Sequence, residues 1–206
     1  GDRGRIQLSL HIDGDLSAAG VRCRVTIEGP DGSSLKSHEQ TFSAEETPID
    51  FPPLANPQRW SPESPSLYRV RVGLWHGDML SDTAALRFGW RAFEFPPGGP
   101  FYLNGERLLL RGTHRHEDWA GCASAVPEAF TRAEMTRIKA AGFNFVRLGH
   151  YPQAAHVLDL CDELGLIVWE ELPWCRGGVG GERFKAHARA QLADMIAEHR
   201  HHPSVL

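Results

Sequence analysis

Residues 143–152 read FNFVRLGHYP, and this stretch decides how the second half of the chain is expected to fold. Its apolar part, which includes Phe145 and Val146, is typical of a buried strand. It ends abruptly in three polar side chains, those of Arg147, His150 and Tyr151. A buried strand that stops at such a cluster either leaves the core for solvent or delivers those groups to a site. The flanking sequence decides between the two.

Strand and helix patterns alternate on both sides of this stretch. Buried strands are predicted at RLLLRG, FNFVRL and LIVW, which are residues 107–112, 143–148 and 166–169. Helices are predicted from Pro127 to Gly142 and from Ala154 to Leu164. A third helix, before Pro203, is predicted from an apolar stripe of Phe184, Ala188, Leu192, Met195, Ile196 and His199. The final SVL fits the start of a fourth strand.

Repeated strand-helix units imply a parallel sheet, and in a barrel of such units the functional side chains gather at the C-terminal ends of the strands. The three predicted strands all end in polar clusters, which read RGTHRHED, RLGHYP and EELPW. Arg147, His150 and Tyr151 are therefore predicted to lie where such a barrel forms its pocket.

The first half of the chain has a period of two instead. Apolar and polar residues alternate in RIQLSLHID, VRCRVTIEG and LYRVRVGLW, and the turn signals IDGD and GPDGS separate such segments. No helix pattern intervenes, which predicts an antiparallel β-sandwich of immunoglobulin type. We therefore expect a multidomain chain, with this β-sandwich over residues 1–95. An incomplete (β/α)8 TIM barrel of about three strand-helix units is expected over residues 96–206.

The composition argues against several classes of partner. The 206-residue chain is 41% hydrophobic and has a net charge of −4, from 22 basic and 26 acidic residues without a basic run, so nucleic acid is not expected. No apolar stretch approaches the length that spans a bilayer, and the first residues, GDRGRIQLSL, lack a signal-peptide pattern. The compartment stays open, with the cytoplasm slightly favoured. The missing initiator Met indicates a piece of a longer chain.

Cofactor and metal motifs are weak in this sequence. The cysteines form no C-x-x-C pair and are interpreted as free thiols, at Cys23, Cys122, Cys161 and Cys175. CRGGVGGER, residues 175–183, lacks the Lys-Ser/Thr of a phosphate loop, so no nucleotide or other cofactor is expected. His114 and His116 share one side of an extended segment and could ligate a metal. No third ligand is evident, so no metal site is predicted.

Several stretches together resemble glycoside hydrolase family two, which includes β-galactosidases and β-glucuronidases. NFVRLGHYP is similar to the family signature N-x-V-R-x-S-H-Y-P. The other matching stretches, in chain order, are WSPESPSLYRV, RFGWRAFEF, FYLNGERLLLRGTHRHED, CDELGLIVWEELP and HHPSV. The resemblance covers nearly the whole chain and implies an exo-β-glycosidase that hydrolyses a terminal β-linked sugar, with carbohydrate as its substrate. R-H-E-D, residues 115–118, favours the galactosidase and glucuronidase branches over the mannosidases.

The resemblance implies a retaining mechanism with two glutamates, one the acid/base and the other the nucleophile of a covalent glycosyl-enzyme. In the family the acid/base follows an Asn at the end of the fourth barrel strand, shortly after the stretch that HHPSV matches, and the nucleophile lies later. Both are expected beyond Leu206, so no catalytic residue is predicted in this chain. Glu170 and Glu171 match the acidic pair that follows the third strand.

The resemblance also assigns pocket residues within this chain. Arg147 is expected to orient the nucleophile and to keep its carboxylate ionised. His150 and His116 are expected to contact sugar hydroxyls, and Asp118 is a further candidate in the same loop. Candidates for the pocket rim are Glu171, Trp169 and Trp174, since a tryptophan can stack on the apolar face of a sugar.

Other interpretations of these residues stay open. Arg147 could form a structural ion pair with Glu170 or Glu171, which does not exclude the functional role. His114 stands where the family usually carries Asn, so the resemblance assigns it no contact. The last histidines are interpreted as a solvated helix end, at His199, His201 and His202.

Two other protein classes also stay open. One is a non-catalytic carbohydrate-binding or adhesion protein with a degenerate barrel. The other is a metal-dependent barrel hydrolase, which would hold a divalent metal with His114 and His116. An Asn-Glu pair encoded soon after Leu206 would favour the glycosidase over the non-catalytic protein. The metal-dependent hydrolase would require that metal in stoichiometric amount.

The chain on its own is expected to associate and to lack glycosidase activity. Three strand-helix units cannot close a barrel, and uncovered sheet edges and apolar faces promote aggregation or a homo-oligomer. Both catalytic glutamates are expected outside it, so turnover of aryl β-glycosides should be absent. Light scattering and a panel of aryl glycosides measure these properties, and a stable monomer with turnover would contradict the expected placement of the catalytic residues.

Overall fold

The computed structural model describes residues 3–11, 21–42, 46–174 and 177–206. The chain divides into two compact units. The first consists of residues 1–58 and 66–90, and the second of residues 59–65 and 91–206. Residues 59–65 therefore belong to the second unit although they precede the end of the first. The domain boundary expected at residue 95 stays a prediction.

The first unit contains two antiparallel sheets. Its strands are β1 (Arg3–His11), β2 (Val21–Glu28), β3 (Ser34–Phe42), β4 (Glu46–Ala55), β5 (Tyr68–His76) and β6 (Met79–Phe88). One sheet pairs β1 with β4, and the other has the order β3-β2-β5-β6. The strands predicted from the period of two are thus confirmed.

One hydrophobic core joins these two sheets. Cys23, Val25 and Ile27 are buried at alternate positions of β2, as the period of two predicts. The other buried members of the same cluster come from β1, β4 and β5: Ile6, Ile49, Phe51 and Val70. Because both sheets contribute to one core, the unit is an antiparallel β-sandwich. The predicted turn at residues 12–15 lies outside the described residues.

From residue 91 onward, the second unit has first a short antiparallel sheet and then a parallel one. The antiparallel strands are β7 (Phe93–Glu94), β8 (Tyr102–Leu103) and β9 (Glu106–Arg107). The parallel strands are β10 (Gly112–Arg115), β11 (Phe145–Leu148) and β12 (Ile167–Trp169), adjacent in that order. The helices α1 (Glu128–Ala140), α2 (Ala155–Leu164) and α3 (Glu182–His199) alternate with them. Val205 forms a parallel bridge to Val168, so the final residues begin to pair beside β12.

The core of the second unit lies where α1 and α2 cover the parallel sheet. Its fully buried side chains include Met135, Val146, Leu148, Val157, Leu158, Leu160, Cys161, Leu166 and Val168. The apolar face predicted for α2 is therefore confirmed. Across the described ranges, no helix is long and apolar enough to cross a membrane.

Three of the cysteines are free thiols, as interpreted from the sequence: Cys23, Cys122 and Cys161. Cys23 and Cys161 are buried, and burial raises the pKa of the Cys23 thiol to about 11. Both therefore act as small apolar side chains of the two cores. Cys175 lies outside the described residues.

The strand predicted at residues 107–112 is wrong. Residues 108–111 belong to no strand, and the side chain of Leu109 is 65% exposed. The side chain of Asn144 holds this segment instead: it accepts from the Arg111 N–H over 2.8 Å and donates to the Leu109 carbonyl over 3.0 Å. The backbone N–H of Asn144 also donates to the Arg111 carbonyl, over 2.9 Å. The first parallel strand starts at Gly112 instead, which places His114 within the strand itself.

The helix α3 is present as predicted, but its apolar stripe is largely exposed. The exposed members are Phe184, Leu192 and Ile196. His199, at the end of the same stripe, is buried. The spacing of the apolar residues therefore predicted the helix correctly. It did not predict which of its residues are buried within this unit.

Residues 59–65 pack against the end of α2. Trp60 is fully buried, and its indole N–H donates to the carbonyl of Asp162 over 2.9 Å. The ammonium group of Lys139 donates to the carbonyls of Pro62 and Gly165, over 2.7 and 2.9 Å. These contacts explain why the segment belongs to the second unit.

Gly165→Ala is expected to destabilise the second unit more than Gly142→Ala. Both glycines have a positive φ, of 67° and 86°, where a Cβ costs about 1–2 kcal/mol. A Cβ at Gly165 would also lie 2.5 Å from the carbonyl oxygen of Pro62, whereas one at Gly142 meets no described atom within 4 Å. Overpacking of this kind costs a further 1–3 kcal/mol, roughly. Thermal unfolding of the two variants measures the difference, and equal losses of Tm would contradict the close approach of Pro62.

Candidate functional site

The three parallel strands place polar residues side by side. His114 of β10 is in register with Arg147 of β11, and Arg147 is in register with Trp169 of β12. Residues in register on neighbouring strands project to the same face of a sheet. His116, His150 and Glu171 follow just after the same three strands. Polar side chains from separate parts of the sequence thus meet at the C-terminal ends of the strands.

The guanidinium of Arg147 is the centre of this cluster. Its Nε and Nη2 donate to the two carboxylate oxygens of Glu171, over 2.5 and 2.8 Å. Its Nη1 lies 3.2 Å from Nδ1 of His114, and its Nη2 lies 2.9 Å from Nδ1 of His150. Two-point pairing with a carboxylate fixes the plane of a guanidinium. Of the two partners that the sequence left open for Arg147, the structure selects Glu171.

Three imidazole rings lie against one another beside Arg147. The ring centroids are 4.5 Å apart for His114 and His116, 5.2 Å for His114 and His150, and 5.1 Å for His116 and His150. One nitrogen of each ring lies within 4.8 Å of a nitrogen of each other ring. We call these three residues the histidine triad. The sequence did not show this grouping, because its third member comes from a different strand.

The charges in the cluster shift the pKa values of two side chains. The hydrogen bonds from Arg147 hold the pKa of Glu171 below its ordinary range, against the opposite effect of burial, and a bond from His150 adds to them. His114 is exposed, but partial desolvation by its neighbours lowers its pKa, and the charge of Arg147 and the neighbouring imidazoles add to that effect. At pH 7, Glu171 is therefore ionised.

Arg115 lies between His114 and His116 in sequence. Its side chain is buried, because neighbouring side chains of an extended segment point to opposite sides. It donates to Glu134 of α1 over 3.0 Å and to the side-chain carbonyl of Gln153. The amide nitrogen of Gln153 donates back to the carbonyl of Arg115 over 3.0 Å. This buried network ties β10 to both α1 and the start of α2.

Glu117 continues the same alternation. Its carboxylate accepts from the backbone N–H of Ala154, at the start of α2, over 3.1 Å. Its own N–H donates to the hydroxyl of Tyr151 over 3.1 Å. Neither Arg115 nor Glu117 was predicted from the sequence to have a supporting role. The alternation in HRHE, residues 114–117, could have indicated these roles. In an extended segment, side chains at alternate positions point to opposite sides, so Arg115 and Glu117 point away from the two histidines.

The interpretation of the last histidines as a solvated helix end is wrong for two of them. Nδ1 of His199 lies 2.8 Å from Oε2 of Glu170, whose side chain is 3% exposed. Nδ1 of His202 lies 2.6 Å from Oδ2 of Asp162, and both side chains are buried. The sequence could not show this, because the carboxylates that pair with the two rings come from α2 and from the residue after β12.

The remaining predicted pocket residues are placed at the surface. Asp118 is exposed in the loop after β10, and Trp169 is exposed at the end of β12. Trp174 is also exposed; its indole N–H donates to the carbonyl of Gly177 over 3.0 Å, and its ring lies edge-on to that of Phe184. Among the described residues, the hydrogen bonds and ring contacts that join the cluster include none of these three predicted residues.

Comparison with known protein families identifies the family of this chain. The description "Glycosyl hydrolases family 2, TIM barrel domain" matches residues 97–206, and "Glycosyl hydrolases family 2" matches residues 1–91. The chain belongs to glycosyl hydrolases family 2. The resemblance seen in the sequence is thereby confirmed, as is the combination of a sandwich domain with the start of a TIM barrel domain.

Two known proteins are similar to most of this chain. A putative β-glucuronidase of Formosa agariphila is 41% identical over 192 residues, which are 93% of this chain and 23% of the relative. A β-galactosidase of Thermoanaerobacterium thermosulfurigenes is 38% identical over 207 residues, which are 98% of this chain and 28% of the relative.

A solved structure in the same family is similar over the whole chain. The structure of Bacteroides uniformis β-glucuronidase 3 matches with a TM-score of 0.90 and 46% identity, covering 100% of this chain and 25% of that one. This chain therefore spans about a quarter of the length of the relatives and the structure that it matches.

Glu171→Gln is expected to destabilise the protein at neutral pH and to have less effect in acid. The folded-state pKa of Glu171 is depressed, so its contribution is present above the unfolded-state pKa of about 4.3 and is lost as pH falls through the lower folded-state pKa. We expect a loss of about 1 kcal/mol or less at pH 7, because the pair is partly exposed. Chemical denaturation of both proteins, from neutral pH down to about pH 3, measures the difference.

Glu182→Gln is the matched control for this experiment. The side chain of Glu182 is 85% exposed and pairs with Lys185 of the same helix. Exposed pairs of this kind contribute little, so this substitution should change stability by a similar small amount at every pH. An effect of Glu171→Gln that does not depend on pH would contradict the ionised pair with Arg147.

Proposed function

We propose that this chain is part of a retaining exo-β-glycosidase that hydrolyses terminal β-linked sugars, of β-glucuronidase or β-galactosidase type. The observation that carries the proposal is the convergence of Arg147, His116 and His150 at the C-terminal ends of parallel strands. The activities named for the similar proteins of the same family support it.

In this proposal the described units are the first parts of a larger enzyme. Residues 1–95 form an immunoglobulin-type sandwich, and residues 96–206 supply the first three strand-helix units of a (β/α)8 barrel. Support comes from the parallel order of β10, β11 and β12 and from the parallel bridge of Val205 to Val168, where a further strand would begin. The acid/base and the nucleophile are proposed to lie beyond Leu206.

Arg147 is proposed to position the nucleophile. Four of the five N–H donors of its guanidinium face Glu171, His114 or His150 among the described residues. The remaining N–H on Nη1 is available for the incoming carboxylate. Because the pair with Glu171 fixes the guanidinium, this donor has a defined direction, and its positive charge favours the ionised form of a nucleophilic glutamate.

His116 and His150 are proposed to contact the hydroxyl groups of the sugar. Their rings lie 5.1 Å apart, His116 is exposed and His150 is partly exposed, so both can be reached by a ligand. A neutral imidazole has one donor and one acceptor nitrogen, which suits a hydroxyl group. Asp118, Trp169 and Trp174 remain proposals for the rim, where exposed tryptophan rings can cover the apolar face of a sugar.

The full-length gene product provides the test of this proposal. It should hydrolyse aryl β-glucuronides or aryl β-galactosides, and the first sugar released should keep the β configuration, which NMR spectroscopy resolves. Release of the α anomer would contradict the retaining mechanism. Binding of sugars without turnover of any aryl β-glycoside would instead favour a non-catalytic carbohydrate-binding protein.

Arg147→Ala in the full-length gene product is expected to lower kcat much more than it lowers stability. Removing a preorganised charge at an active site typically costs about 100- to 1,000-fold in kcat. The loss of a partly exposed ion pair costs only about 1 kcal/mol or less of stability. Steady-state kinetics and thermal unfolding of the same preparation measure the two effects.

Arg132→Ala is the matched control, because Arg132 lies on α1 and pairs at the surface with Glu163 over 2.9 Å. It should leave kcat near that of the unmodified protein. If Arg147→Ala lowered Tm and activity in parallel, as a general loss of fold would, the positioning role would be rejected in favour of a structural ion pair.

A further inference from the structure

The histidine triad has a geometry that sugar contacts do not require. A hydroxyl group is satisfied by a single ring nitrogen, whereas here one nitrogen from each of three rings lies within 4.8 Å of the others. Three imidazole ligands with an open fourth position are a known ligand set for transition metals in proteins. Two of the three rings are exposed, so an ion from solvent can reach them.

We propose that His114, His116 and His150 form a binding site for a divalent transition metal ion of the Zn²⁺ class, and that an ion bound there excludes the sugar. Metal binding follows from the geometry of the triad alone. The exclusion rests on the proposed function, because a metal on His116 and His150 occupies the nitrogens that would contact the sugar hydroxyls.

The distances are close to those of a metal site. Zn²⁺ binds histidine nitrogen at about 2.0–2.1 Å, and tetrahedral geometry then places ligand nitrogens about 3.4 Å apart. The observed nitrogens lie within 4.8 Å of one another, so the rings must approach by about 1.4 Å at most. His114 and His116 are exposed and His150 is partly exposed, so rotations of their side chains can achieve this without moving the strands.

Glu171 supplies the outer partner that metal-bound histidines usually have. Nδ1 of His150 lies 3.2 Å from Oε2 of Glu171. A metal on Nε2 of His150 places the ring proton on Nδ1, so Nδ1 no longer accepts from Nη2 of Arg147, 2.9 Å away, and donates to Oε2 of Glu171 instead. A carboxylate that accepts this proton fixes the tautomer and the ring orientation. Glu171 can accept this proton while it keeps its two bonds to Arg147, since each carboxylate oxygen has two lone pairs.

The local charge permits a cation at this position. Glu171 neutralises Arg147 through the two-point pair, so the guanidinium does not leave a net positive charge beside the triad.

The ligand atoms select the class of ion. The triad offers nitrogen atoms, and the nearby carboxylate oxygens of Glu171 are both held by Arg147. Imidazole ligands favour Zn²⁺, Ni²⁺ and Cu²⁺, whereas Mg²⁺ and Ca²⁺ require oxygen ligands. Zn²⁺ should therefore bind, and Mg²⁺ and Ca²⁺ should not compete with it.

The binding test uses the full-length gene product without a polyhistidine tag, titrated with ZnCl₂ in a calorimeter. His114→Asn is the decisive variant: it removes one ligand ring, while the amide oxygen of Asn can still accept a hydrogen bond from Arg147. His187→Asn, at an exposed position of α3, is the matched control. Thermal unfolding of both variants verifies that they are folded.

The expected result is a Zn²⁺ site in the unmodified protein and in His187→Asn that persists in excess Mg²⁺ and Ca²⁺. His114→Asn should weaken that site by more than about 100-fold, because loss of an outer partner alone typically costs 10- to 100-fold. An unmodified protein without a Zn²⁺ site, or a folded His114→Asn protein with undiminished affinity, would overturn the proposal.

The exclusion of sugar is tested separately by kinetics. Zn²⁺ should raise KM for the aryl glycoside without lowering kcat, and a chelator should reverse this. The activity of His114→Asn, whatever its level, should no longer respond to Zn²⁺ at the same concentrations. If Zn²⁺ bound without any effect on KM, the proposal that the metal excludes the sugar would be rejected, and the proposal of a metal site would stand. A protein that binds Zn²⁺ but has no turnover in the presence of a chelator would reject the proposed glycosidase instead.

Discussion

The two-point ion pair between Arg147 and Glu171 is the contact on which the arrangement of the site depends. It joins the second and third parallel strands and fixes the plane of the guanidinium. With that plane fixed, the same guanidinium reaches His114 on the first strand and His150 after the second. One side chain thus orders groups from all three strands, and its hydrogen bonds to Glu171 keep that carboxylate ionised.

The site is supported by buried polar groups on the other side of the same segments. Arg115 and Glu117 alternate with the exposed histidines and bond to α1 and to the start of α2. Farther along α2, the buried carboxylate of Asp162 pairs with His202 and accepts from the N–H of Ser204. Buried polar groups of this kind are costly unless they are paired. Their pairing therefore specifies where the strands and the final residues of the chain lie.

Local sequence patterns were sufficient for most of the secondary structure. The sandwich strands, α1 and α2 were predictable because period, helix-ending glycines and Pro127 are local properties of the chain. The apolar run at residues 107–112 was predicted as a strand and is not one. An apolar run shows a tendency to be buried, but it does not show whether a neighbouring strand pairs with it. Here the side chain of Asn144 bonds to the backbone of Leu109 and Arg111.

The sequence by itself determined the family, the strand that carries Arg147, and the position of His116 and His150 at strand ends. Only the tertiary structure decided that Glu171 and not Glu170 pairs with Arg147, and that three histidines meet in one cluster. The physical reason is the separation along the chain: Arg147 is 33 residues from His114 and 24 from Glu171. Such contacts depend on which distant strands pair and on how they are aligned, and the residues of one segment do not show which segment is its partner.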